Sequence, residues 1–111
     1  MKCTLQKTGN VIAQQVVLAN TFYSRLKGLM GRKGLPQGEA LLLDPCPQIH
    51  TCFMRFDIDV VFLDCSGRVV AVLEQIKPWR MSKFYSGCQA LELSGGSLQG
   101  SVQPGDILIF N

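Results

Sequence analysis

Two apolar runs divided by one polar turn constrain this chain more than any other feature. Val60 to Leu63 and Val69 to Leu73 are continuous stretches of apolar residues, and Asp64-Cys65-Ser66-Gly67 stands between them. Such turn residues fold the two runs together as a hairpin. A half-exposed strand would alternate apolar with polar residues. These runs do not, so they must be covered on both faces or lie in a closed barrel. A chain of 111 residues has room for one such core, and residues 1–111 are expected to form a single domain. With 47% hydrophobic and 17% charged residues the chain is not of the disordered class. Its longest apolar runs of four or five residues fall far short of the roughly 20 that span a bilayer.

Around the hairpin the chain reads as short strands. Lys2 to Lys7 alternates in polarity and ends at the turn Thr8-Gly9-Asn10, and Val11 to Leu18 is its expected hairpin partner. Further strands are expected at Ala40 to Leu43, Ile49 to Met54, Asp59 to Leu63, Arg68 to Gln75, Gln89 to Leu93 and Ile107 to Phe110. Gln103-Pro104-Gly105-Asp106 carries the Pro-then-Gly signal of a type II turn. One segment changes period. Phe22, Leu26, Leu29 and Met30 share a helical face, with Asn20 or Thr21 to cap it and Gly31 to end it. Ser97 to Val102 has room for one helical turn. The expected class is mostly β, of α+β type: a small bent sheet or partly closed β-barrel with one or two short helices, which hides strand edges best.

The formal charge of +3 is too small to imply nucleic-acid binding by itself. Its placement says more. Arg25, Lys27, Arg32 and Lys33 fall within nine residues with no acid among them, and Lys77, Arg80 and Lys83 sit beside Trp79, Phe84 and Tyr85. The five cysteines, Cys3, Cys46, Cys52, Cys65 and Cys88, are odd in number and lack framework spacing. Met1 to Lys7 lacks the apolar core of a secretory signal. Reduced thiols and a cytoplasmic location are the expectation, with most thiols acting as small buried hydrophobes.

Four blocks then stand out in order. They are Arg25-Leu26-Lys27-Gly28-Leu29-Met30-Gly31-Arg32 followed by Gly38 to Leu43, Ile49-His50-Thr51 running through Asp64, Pro78-Trp79-Arg80, and Leu91-Glu92-Leu93 with Gly95-Gly96 and Gly105-Asp106. In these blocks the chain resembles the bacterial and archaeal family called domain of unknown function 192. The resemblance implies a mostly β single domain with short helices and no established activity. It also implies, for the subtype carrying Ile-His-Thr and Pro-Trp-Arg, frequent encoding near Flp-type (tight-adherence) pilus genes. Cys52 departs from the family pattern, which more usually has an aromatic residue there.

Which residues could work chemically is read from their types. His50 is the single histidine. Its ring titrates near working pH, so it suits a proton donor or ligand lining a pocket. The plain alternative is a half-buried ring bonding a backbone carbonyl. In a strand His50, Cys52 and Met54 would share one side and Thr51, Phe53 and Arg55 the other. Cys46, His50 and Cys52 lack the second ligand pair of a zinc site, so neither metal nor cofactor is expected. A nucleophilic cysteine would need Cys46 or Cys88 to meet His50 and Asp57. Asp57 and Asp59 lie two apart and would point the same way. Close together they would raise one another's pKa, but a fork with Arg25, Arg55 or Arg80 is favoured, with free backbone amides as the other partners. Trp79 with its neighbours can stack a base or sugar or receive a peptide; structurally it would be a lid on the core.

The favoured expectation is a non-catalytic binding or accessory module. Arg25, His50, Thr51, Met54, Arg55, Asp57 and Arg80 would line a polar groove for a protein segment, for instance of an envelope or pilus assembly, or for a small anionic or sugar ligand. The alternatives are a small hydrolase or transferase using His50 with Asp57 or a cysteine, and a single-stranded nucleic-acid binder, which the modest charge disfavours.

Overall fold

In a computed structural model, residues 1–21, 29–85 and 89–111 are described. Their strands, in chain order, are β1 (Cys3–Leu5), β2 (Val11–Ala13), β3 (Gln15–Ala19), β4 (Glu39–Leu43), β5 (Ile58–Leu63), β6 (Val69–Ile76), β7 (Gln89–Ser94) and β8 (Leu108–Phe110). They form a three-stranded sheet ordered β2-β1-β8 and a five-stranded sheet ordered β3-β4-β7-β5-β6. All pairings are antiparallel except β3 with β4. The first and last strands are neighbours, and Lys2 and Asn111 exchange backbone hydrogen bonds of 2.8 and 2.9 Å.

Every residue of β5 is buried, which is what its unbroken apolar sequence requires. The cause is two cores rather than a barrel. Val61 and Leu63 join Leu91, Leu93, Ala40 and Leu42 against Cys3, Leu5, Ala13 and Leu108 of the small sheet. Ile58, Val60 and Phe62 join Leu41, Leu43 and Ala90 on the opposite face, beneath Leu29, Leu35, Ile49, Met54 and Tyr85. Each such aliphatic or aromatic side chain contributes about 1.5–3 kcal/mol by leaving water. Neither sheet closes: β3 and β6 remain edge strands, so the partly closed barrel is not found.

The β5–β6 hairpin forms as its turn residues dictate. Asp64 Oδ1 accepts from Ser66 N at 2.9 Å, Ser66 Oγ at 2.7 Å and Arg68 N at 3.0 Å. These bonds, the Ser66 hydroxyl foremost, hold the Asp64 carboxyl below its ordinary pKa. Gly67 sits at φ +87°, where a Cβ would stand 2.7 Å from the Leu108 carbonyl oxygen. At the second expected turn, Asp106 N donates to Gln103 O at 3.1 Å with Gly105 at φ +94°, as a type II turn requires.

Three expectations are corrected. Val11 to Leu18 is not one strand: it divides at Gln14 between the two sheets, with Gln14 N and Gln15 N both donating to Gly38 O. Ser97 to Val102 is a series of turns, and there is no helix among the described residues. The helix expected from Phe22 to Met30 falls mostly on residues 22–28, outside those described; Leu29 and Met30 lie in a turn. Cys65 is disulfide-bonded, which departs from the expectation of reduced thiols. No helix among the described residues is long and apolar enough to cross a membrane.

Candidate functional site

Ile49 to Met54 were expected to form a strand. Residues 47–54 instead make an irregular ribbon with residues 77–85. Tyr85 N donates to Pro47 O at 2.8 Å and Ser82 N to Ile49 O at 2.9 Å, while His50 meets Met81 in one isolated antiparallel bridge. Ser82 Oγ accepts from Ile49 N at 3.0 Å, and Gln48 Nε2 reaches Ser82 O at 2.8 Å. Ile49 and Met54 sink into the second core, and the Tyr85 ring lies 4.6 Å from that of Phe62. The ribbon is thereby fixed to the covered face of the large sheet.

Thr51 is the hub and is fully buried. Its backbone donates to Arg80 O at 2.8 Å and accepts from Trp79 N at 3.0 Å. Its hydroxyl donates to Lys77 O at 2.7 Å and accepts from Arg80 N at 2.8 Å. A hydroxyl bonding facing backbone in this way replaces the ladder that a regular strand would make. The chain then reverses, with Met54 N donating to Thr51 O at 3.2 Å.

That reversal presents two aromatic residues. Phe53 and Trp79 both lie at φ 65°, in the left-handed region. Their rings are 4.8 Å apart, yet the residues are 60% and 59% exposed. Met81 and Phe84 on the same ribbon are more exposed still, at 69% and 70%. Trp79 is therefore not a lid on the core.

The seven residues expected to line a groove separate into groups. His50, Arg55 and Arg80 are exposed, and His50 and Arg80 share the ribbon. Thr51 and Met54 are buried beneath it, so they support the surface and do not line it. Asp57 is half-buried and pairs with Lys77 at 3.5 Å. Arg25 lies outside the described residues. The expected arginine fork is not found: among the described residues no arginine pairs with Asp57 or Asp59. The backbone-amide alternative holds for Asp59. Fully buried, it accepts from Gln75 N at 2.8 Å, Gly96 N at 3.2 Å and Leu98 N at 2.9 Å. Asp57 is held against Gly95, whose amide donates to its carbonyl at 2.9 Å.

Chemically the ribbon offers donors and apolar surface. The Nδ1 atom of His50 accepts from Cys52 N at 3.2 Å, and among the described residues no carboxylate or thiol bonds the ring. The base–orienter pairing of a nucleophilic triad is not assembled there. Cys46 Sγ donates to Gln48 O at 3.2 Å, and no group of three His, Cys, Asp or Glu among the described residues could hold a metal ion.

One buried titratable group was not among the residues expected to work chemically. Glu92, central in β7, faces the second core between Leu41 and Val60 in register. It is 4% exposed, its Oε1 has no hydrogen-bond partner, and burial pushes its carboxyl up to about 8. Only the alternation of its neighbours Leu91 and Leu93 toward the other face could have marked it as inward-pointing.

The chain matches the model of the DUF192 family, described as Uncharacterized ACR, COG1430, over residues 3–110. It is 37% identical over 76 residues to a UPF0127 protein of Thermococcus sibiricus, covering 65% of this chain and 49% of that protein. A Thermococcus kodakarensis UPF0127 protein is 39% identical over 71 residues, covering 60% and 45%. The chain thus spans about half the length of these curated relatives. Among solved structures, a protein of unknown function from Novosphingobium aromaticivorans aligns with TM-score 0.82 at 21% identity, covering 99% of this chain and 84% of the other. A Sinorhizobium meliloti protein, described provisionally as a transcription regulator, aligns with TM-score 0.80 at 23% identity, covering 97% and 89%. These structural likenesses establish the fold alone.

Proposed function

The chain belongs to the DUF192 family, and for this member we propose a non-catalytic binding or accessory module whose working face is the ribbon of residues 47–54 and 77–85. The partner is a segment of another protein. The pilus-gene neighbourhood implied for this subtype makes an envelope or pilus component the first partner to try.

One observation carries the reading. Phe53 and Trp79 are held in the left-handed region while most of their surface stays in water. A non-glycine residue there costs about 1–3 kcal/mol. Core packing does not repay that cost when both rings remain exposed. Exposed aromatic rings beside Arg80 and His50 have the composition of a recognition patch, rich in the residue types that dominate binding energy. The buried Thr51 hub stiffens the patch, which lowers the ordering cost of association.

The test compares Arg80→Ala and His50→Ala with the parent chain. Both residues are exposed, so each variant should melt within a few degrees of the parent. Each should lose capture of a partner identified by photo-crosslinking from position 84. Unchanged capture by both variants discards the reading.

A further inference from the structure

We propose that the open edge of β6 and the groove beside it receive an extended acidic segment of a partner protein, added to the large sheet as a further strand. This rests on the binding-module reading, because the groove shares Met81, Ser82, Lys83 and Tyr85 with the ribbon.

The edge is already used for pairing at one end. Val69 N donates outward to Asp106 O at 2.7 Å, Val69 O accepts from Gly105 N at 2.8 Å, and Arg68 bridges Ile107. Beyond that point β5 is the sole strand neighbour of β6 among the described residues. Ala71, Val72 and Leu73 keep regular register with Phe62, Val61 and Val60, and irregularities flank them on both sides. That regular stretch, Ala71 to Leu73, is where an added strand would pair. An unpaired edge of this kind is a template for strand addition, in which main-chain bonds give affinity and alternate side chains enter adjacent pockets.

The adjacent pocket is present. A groove of about 400 Å³ runs between Leu73 and Ile76 on one side and Met81 and Tyr85 on the other. That is within the range of about 300–1,000 Å³ in which small ligands and side chains are held. Its walls are largely aliphatic and aromatic, so the inward side chains of the added strand are apolar.

Charge selects the rest of the occupant. Lys77 to Tyr85 carries Lys77, Arg80 and Lys83 and no acid; Lys77 pairs with Asp57 at 3.5 Å, which leaves Arg80 and Lys83, the latter lining the groove, as the cations open to a partner. Among the described residues Glu74 is the only carboxylate lining the groove, and it accepts from Gly100 N at 3.1 Å. A second copy of this chain would bring the same cations to the same rim, and like charges across an interface repel. An acidic strand meets complementary charge there.

The probe is a pool of labelled eight-residue peptides alternating Val, Ile or Leu with Asp or Glu, set against a pool with Lys at the charged positions. The acidic pool should bind and the lysine pool should not. Amide exchange should slow at Ala71 to Glu74 when the acidic pool is present. Lys83→Glu should weaken binding about tenfold or more. Val72→Pro should abolish it, and where that variant fails to fold, Lys83→Glu decides alone. Absence of binding, equal binding of both pools, or binding without slowed exchange at Ala71 to Glu74 overturns the proposal. So does concentration-dependent self-association that Lys83→Glu strengthens. If the parent captures its partner while the pool does not bind, the edge proposal falls and the binding-module reading stands.

Discussion

Asp59 and Glu92 are both buried carboxylates in the large sheet, yet opposite surroundings give them opposite consequences. Asp59 accepts three backbone N–H groups that lie in the turn after β7 and near the end of β6. Asp59→Ala would strand those donors, and urea denaturation should show a loss of about 3 kcal/mol or more. Glu92 has no partner at Oε1, and burial raises its pKa from 4.5 to about 8. The folded chain therefore binds this proton more tightly than the unfolded chain. Stability from this group is complete below about pH 4.5 and is lost progressively as pH rises to about 8. Glu92→Gln should flatten that decline, so that denaturation midpoints at pH 5 and pH 8 converge relative to the parent. A decline of equal size in the variant would refute the assignment.

At the scale of elements, local chemistry was readable where one residue type dictates one geometry. The Asp64–Gly67 turn, the type II turn at Pro104-Gly105 and the buried β5 all follow from residues within a few positions. Residues 49–54 misled because their β-like composition is overridden by Thr51, whose bonds run to positions more than 25 residues away. The split at Gln14 misled for a similar reason: the competing partner, Gly38, is distant in sequence. Of the expected site, the exposed cations and His50 were legible from type. The Phe53–Trp79 pair was not, because left-handed φ at an aromatic residue has no sequence signature. This pair yields a prediction. Glycine is at ease at φ 65°, so Trp79→Gly removes strain of about 1–2 kcal/mol while losing a ring contact of similar worth, about 0.5–1.5 kcal/mol. Its melting temperature should stay within a few degrees of the parent while partner capture is lost. A large fall in melting temperature would show that Trp79 is structural after all.

For the molecule as a whole, the five-stranded sheet is the frame, with one core on each face. Phe62 and Val61, adjacent in sequence, serve different cores. Phe62→Ala should cost about 3–5 kcal/mol, and because Phe62 also carries Tyr85 it should loosen the ribbon, read as faster amide exchange at Ser82 and Tyr85. The working face thus borrows its rigidity from the sheet beneath it. The adjacency of Lys2 and Asn111 has a bearing on synthesis. The small sheet has β1 in its middle and β8 on its flank, so it stays incomplete until β8 has left the ribosome. The growing chain therefore carries β1 with one side unzipped throughout the synthesis of residues 6–107.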